Sequence, residues 1–220
     1  MVIVSRVIYI CRRGKVPGPS RWLDMADISR KLAGNNIAAF NINYRLAPED
    51  RYPAQLNDVY AAMNFLVRSA DEYPLDTQRM MTVGYSAGAH LALLAGSIPK
   101  EGVPTVNAII AGGAPTDLRI YPDSPFIKDL IGGPPSDFPD VYREASPIVH
   151  ATADHPPVFL YHGRLDLLVR PVNSFKMKAA LEEAGVDVRL DIRALFGHLL
   201  TFAFDGPSIS KGITFAKEYL

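Results

Sequence analysis

Cysteine is almost missing from this chain: Cys11 is the only one in 220 residues. No internal disulfide can form and no cysteine cluster can hold a metal, so the thiol count leaves the redox compartment open. An excess of charge of either sign is missing too. The 23 basic side chains balance 23 acidic ones, which removes the usual reason to expect a nucleic-acid or acidic-membrane partner. Nor does any run approach the roughly 18 apolar residues of a membrane-spanning helix. A signal peptide places positive charge ahead of its apolar stretch, whereas in MVIVSRVIYICRRG Arg12 and Arg13 follow that stretch and Arg6 interrupts it. Repeats and low-complexity segments are absent. These absences predict a soluble, cytoplasmic protein, with no nucleic acid and no membrane among its partners.

What is present suits one α/β domain over residues 1–220, long enough for a sizeable core. Six apolar runs rich in β-branched residues read as strands: Val2–Ile10, Ile37–Tyr44, Arg79–Gly84, Val106–Gly112, Pro157–His162 and Val186–Leu195. Near-continuous hydrophobicity, as in Val7-Ile8-Tyr9-Ile10, suits strands covered on both faces. Helical patterns lie between them. Ser20 reads as the N-cap of the first, which Gly34 ends. In Pro53–Ala70 the apolar positions Leu56, Val59, Tyr60, Met63, Leu66 and Val67 recur at helical spacing. Pro171 opens a third helix and Gly185 closes it; Ser208 reads as the cap of the last. Alternating strands and helices predict a mainly parallel sheet with helices on both faces. Residues 115–156 break the rhythm, with short helical pieces near Ser124–Ile131 and Pro139–Ala145, and read as a lid-like insertion over the strand ends.

Gly84-Tyr85-Ser86-Ala87-Gly88 fits G-x-S-x-G. The pattern alone is weak, but here a strand-like run precedes it and a helix-like run, Ala89–Ala95, follows. A strand-to-helix turn of this kind projects a serine hydroxyl from the sheet, and the amide of Ala87 at the helix N-terminus faces a developing oxyanion. A serine hydroxyl needs a base to take its proton. In chain order the partners are an acid and then a histidine. Asp166 lies just past the fifth run, and His198 follows the sixth beside Gly197. Of the other histidines, His90 sits within the nucleophile helix, His162 precedes Asp166, and His150 and His155 fall in or beside the insertion. Asp117 and Tyr121, early in the insertion, are candidates to line the pocket, although residues in such a place more often stabilise the loop.

With those residues named, the chain resembles the hormone-sensitive-lipase-like and feruloyl-esterase-like carboxylesterases of the α/β-hydrolase fold. The matching segments are Asn43-Tyr44-Arg45-Leu46-Ala47-Pro48-Glu49, Tyr52-Pro53-Ala54 with Asp58, the stretch from Gly84 to Ala92, Ser146-Pro147, and His162-Gly163 through Asp166 to Val169. The resemblance implies a serine esterase acting on small-molecule carboxylic esters, with Ser86 as nucleophile, His198 as base, Asp166 as acid, and no metal or organic cofactor.

Two departures from the family stand out. Members carry His-Gly-Gly-Gly after the equivalent of Val7–Ile10, supplying oxyanion-hole amides, and here Cys11-Arg12-Arg13-Gly14 stands in its place. Three readings follow: a working loop of lower activity with donors at Arg12 or Arg13 beside Ala87, an arginine guanidinium as donor, or a blocked site. Members also have two further strands before Val2–Ile10; without them Ile37–Tyr44 becomes an apolar sheet edge, which predicts a homodimer or a marginally stable monomer. The alternatives to an esterase are an amide hydrolase such as an arylformamidase and an inactive binding protein on a hydrolase scaffold.

Overall fold

The structure, a computed structural model, describes residues 2–5, 25–73 and 75–220. Among the described residues six strands form one sheet: β1 (Val2–Ser5), β2 (Ala39–Ile42), β3 (Met81–Tyr85), β4 (Ala108–Gly112), β5 (Val158–Gly163) and β6 (Val188–Arg193). Their order is β2-β1-β3-β4-β5-β6, and every neighbouring pair is parallel. Each strand grows from one of the six apolar runs. Strands β2, β4 and β6 are shorter than their runs, whereas β3 and β5 each end one residue beyond theirs. The remainder of Val2–Ile10, the Ser20 cap and Cys11-Arg12-Arg13-Gly14 lie outside the described residues. As expected, β2 is a sheet edge among the described strands.

The helices are α1 (Ala26–Ala33), α2 (Ala54–Arg68), α3 (Ala87–Ser97), α4 (Pro125–Ile131), α5 (Pro139–Glu144), α6 (Val172–Glu183), α7 (His198–Ala203) and α8 (Gly206–Ala216). Central strands are apolar on both faces because both are covered. Val83, Ile110 and Phe159 pack against Ile28 and Leu32 of α1 and Ile209 and Ile213 of α8. Their alternates Ile109, Ala111, Val158 and Leu160 meet Ala92 and Leu93 of α3 and Met177 and Leu181 of α6. A third cluster joins α2 and α3 to Leu118, Ile131 and Tyr142 of the 115–156 segment. No helix among the described residues is long and apolar enough to cross a membrane.

Two local expectations are corrected. Val67 is exposed rather than on the buried stripe of α2, whose inward face is Leu56, Val59, Tyr60, Met63 and Leu66. Ser208 does not cap α8. That helix starts two residues earlier, where Ile209 N–H donates to the Asp205 carbonyl at 2.8 Å and Pro207 occupies the first turn. The Ser208 hydroxyl instead donates to Asp191 of β6 at 2.7 Å. The Tyr-Arg-Leu-Ala-Pro stretch is a brace for the β2–α2 connection: the Arg45 guanidinium and its own amide both donate to Asp58, the amide at 2.8 Å and Nη2 at 2.8 Å. The Arg45 hydrogen bond holds the Asp58 carboxyl below its ordinary value.

Asp205, at the start of α8, is buried, and burial pushes it up to about 6 against the pull of Lys31, 3.4 Å away. The native state therefore keeps a proton that the unfolded chain loses near pH 4. Stability falls as pH rises from about 4 to 6 and stays lower above. Asp205→Asn is expected to stabilise the protein by about 1–3 kcal/mol at pH 8 and to change little at pH 4, measured by urea unfolding at the two pH values.

Candidate active site

Strand β3 passes into helix α3 with one residue between them, Ser86, whose backbone sits at φ 55°, ψ −121°. Positive φ is uncommon outside glycine, so neighbouring contacts must hold it. Ser86 N–H donates to the Gly112 carbonyl of β4 at 2.7 Å, and the Ser86 carbonyl accepts from His90 N–H in the first turn of α3. The flanking glycines make room for this. A Cβ on Gly84 would lie 2.2 Å from the Gly88 carbonyl oxygen, so strand and helix meet at a distance that no side chain permits.

His198 is the first residue of α7, directly after Gly197. Its carbonyl accepts the Tyr85 hydroxyl at 2.6 Å, and the two rings lie 5.1 Å apart. Thus the residue just before Ser86 anchors the helix that carries the imidazole. Gly113, at φ +55°, leaves space beside His198 Cε1, which a Cβ there would approach to 3.2 Å. Asp166 lies on the loop after β5. One of its oxygens accepts the amides of Leu168 at 3.0 Å and Val169 at 2.8 Å, and the other faces the histidine.

Three residues far apart in sequence therefore meet. Ser86 Oγ stands 2.9 Å from His198 Nε2, and His198 Nδ1 stands 2.6 Å from Asp166 Oδ2. With Nδ1–H donating to the carboxylate, Nε2 is left as an acceptor for the serine hydroxyl. Asp166 is 2% exposed. Burial alone would raise its carboxyl, yet the hydrogen bonds from His162 and His198 and the Val169 amide bring it down to about 2. It stays charged above that, and the stabilisation it lends is lost only as pH falls from about 4 to 2.

The remaining histidines make other contacts. His90 is buried, burial pulls it down to about 4, and Nε2–H donates to the Ala145 carbonyl at 2.6 Å, tying α3 to α5. His150 bonds the Glu144 carbonyl and His155 the Pro156 carbonyl. His162, a residue the sequence placed merely before Asp166, lies against that carboxylate, with Nε2 3.3 Å from Oδ2. Ala87 opens α3 beside Ser86. Arg12 and Arg13 lie outside the described residues. Among those described, no group of three or more His, Cys, Asp or Glu side chains could hold a metal ion.

A cavity of about 220 Å³ opens onto Ser86 and His198, walled by Leu118, Phe126, Ile127 and Leu130 of the 115–156 segment and by Leu168 and Val169. Among the described residues, no Asp, Glu, Lys or Arg lines it. Tyr121 does line it and also holds the segment in place, its oxygen accepting from Asn173 Nδ2 at 2.6 Å and from Arg170 N–H at 3.0 Å. Asp117 pairs with Arg119. Beside the cavity, the Asp166 loop and α7 expose large apolar groups, Leu167 at 94% and Leu195, Leu199 and Leu200 at half or more.

The BD-FAE family model matches residues 20–181 of this chain. Among curated proteins, Esterase LipC of Mycobacterium tuberculosis is 28% identical over 167 residues, covering 68% of this chain and 41% of LipC. Esterase LipQ of the same organism is 29% identical over 160 residues, covering 66% and 38%. The chain thus spans about two fifths of the length of these relatives. Among solved structures, a truncated carbohydrate esterase from gut microbiota superposes with a TM-score of 0.81 at 23% identity, covering 99% of this chain and 84% of the other. An acetyl ester-xyloside bifunctional hydrolase from Caldicellulosiruptor lactoaceticus gives 0.78 at 23%, covering 99% and 81%. These structures are alike in fold.

The close approach at Gly84 is directly testable. Gly84→Ala is expected to cost about 1–3 kcal/mol in urea unfolding, because an added methyl group forces β3 and α3 apart. An unchanged unfolding midpoint would show that the helix can retreat without penalty.

Proposed function

The chain belongs to the BD-FAE family, and on that footing we propose that it is a serine carboxylesterase of the α/β-hydrolase fold, hydrolysing small carboxylic esters through an acyl-enzyme. One observation carries the reading: the unbroken relay from Ser86 Oγ through His198 to Asp166, with contacts of 2.9 and 2.6 Å.

In this mechanism Ser86 Oγ attacks the ester carbonyl carbon while its proton passes to His198 Nε2. The carbonyl π bond opens onto oxygen, and the Ala87 amide at the start of α3 donates to the resulting oxyanion. The second donor is assigned to the Arg12–Arg13 loop on sequence grounds. Collapse of the tetrahedral species expels the alcohol, which takes the proton from His198. Water then attacks the acyl-enzyme, giving its proton to His198, and the acid leaves as Ser86 is regenerated. Asp166 keeps its charge throughout, holds Nδ1 protonated and steadies the imidazolium.

The cavity supports an uncharged, apolar group on one side of the scissile bond. A carboxylate or ammonium placed among Leu118, Phe126, Ile127 and Leu130 would lose its hydration with no charged partner among the described lining residues. We assign residues 115–156 to substrate selection and the sheet ends to the chemistry.

The test is a chain-length series of p-nitrophenyl esters. Turnover is expected to rise from acetate to longer acyl groups before falling, and to drop by about a thousandfold or more in Ser86→Ala. With His198 taking the serine proton, activity should be lost in acid, with no separate limb from Asp166 above about pH 4, since that carboxyl sits near 2. Absence of ester turnover in folded protein, with no labelling of Ser86 by a fluorophosphonate, would sink the reading.

A further inference from the structure

Sequence order assigned His162 no role, yet it is completely buried and both its ring nitrogens are engaged. Nε2 faces two oxygens that can only accept: the Val169 carbonyl at 2.8 Å and Asp166 Oδ2 at 3.3 Å. The proton of the neutral ring must therefore sit on Nε2. Nδ1, 2.7 Å from Ser174 Oγ, is then free to accept the Ser174 hydroxyl. The arrangement fixes the tautomer from both ends, using one helix (α6) and one loop.

The oxygen it touches is the informative detail. Asp166 Oδ1 is occupied by the amides of Leu168 and Val169, whereas Oδ2 is the atom that His198 Nδ1 contacts at 2.6 Å. Two imidazoles thus converge on one carboxylate oxygen. Among the described residues, Asp166 and, across its carboxylate, His198 are the titratable groups facing His162. Helix α6 contributes only the neutral hydroxyl of Ser174, and the loop only a carbonyl.

We propose that His162 is a positioning residue for the relay: its Nε2–H, shared between the Val169 carbonyl and Asp166 Oδ2, locks the carboxylate in place and draws off part of the charge that Oδ2 presents to His198. The proposal rests on the esterase reading for its kinetic consequence but not for its geometry. Without the Nε2–H donor, Oδ2 carries more charge toward His198 and favours the imidazolium. The base then holds its proton more tightly, and the rise of activity with pH moves to higher pH. The Val169 carbonyl also loses its partner, so the loop presenting Asp166 is held less firmly.

The kinetic test compares His162→Leu with His162→Gln, whose amide can return an N–H toward the same two oxygens. In His162→Leu, kcat for a short p-nitrophenyl ester is expected to fall about 10- to 100-fold, in line with loss of a hydrogen bond to a charged group. KM should stay within about twofold, and the acid limb of the pH–rate profile should move up; His162→Gln should recover most of both effects. A fall in kcat with the limb unmoved, or no fall at all, would reduce His162 to a space-filling role and overturn the proposal. Should His162→Leu fail to fold, nitrogen-15 NMR of the unmodified protein decides: His162 must appear as the Nε2–H tautomer, and an Nδ1–H ring overturns the proposal. That measurement needs no substrate, so an inactive protein would defeat the esterase reading without touching this one.

Discussion

One close contact makes the site. Strand β3 and helix α3 can run together with a single residue between them only because Gly84 lacks a side chain at the crossing, where a Cβ would come within 2.2 Å of the Gly88 carbonyl oxygen. Ser86 is thereby forced to positive φ, and its hydroxyl leaves the sheet at the end where the parallel strands all point. Because every strand runs the same way, the loop after β5 and the helix after β6 emerge at that same end. Asp166 and His198 are therefore brought beside Ser86 by topology before any hydrogen bond is made.

Around that arrangement the labour is divided. The sheet and the helices packed on it supply a rigid floor, and Tyr85 links two parts of it by bonding the carbonyl of His198 from the position next to Ser86. The 115–156 segment supplies apolar walls and is anchored at separate points. His90 holds Ala145, and Asn173 of α6 accepts the amides of Thr116 and Asp117 while donating to Tyr121. The cavity wall is thus buttressed by polar groups, of which Tyr121 and His90 also line the cavity, in keeping with buried polar atoms needing partners wherever they fall.

Much of this was legible in the amino-acid order, for definite reasons. The central strands were visible because both faces of a parallel sheet are covered, so their runs are nearly all apolar, whereas β6 (VRLDIR) alternates apolar and charged residues. Ser86 was visible because the turn demands glycine on either side, a compositional mark. His198 could be chosen over four other histidines by chain order alone. Three things were hidden. The start of α8 was misread because Ser208 is a common capping residue, whereas a carbonyl, a proline and a carboxylate on β6 decided its environment. The part played by Tyr85 was out of reach, since its partner is 113 positions away and is a backbone atom. Likewise, nothing in His162-Gly163 announces that the imidazole folds back onto the carboxylate four residues later, because that depends on the curl of the Val169 loop.

The relay joins residues 112 positions apart in the chain, each delivered by a different strand of one sheet. No contiguous fragment of the polypeptide can assemble it, and no partly formed sheet lacking β5 or the turn beyond β6 can either. Assembly of the relay is accordingly a late, all-or-nothing attribute of the tertiary structure, and under the esterase reading the first turnover by a refolding molecule marks the moment at which its long-range topology has closed.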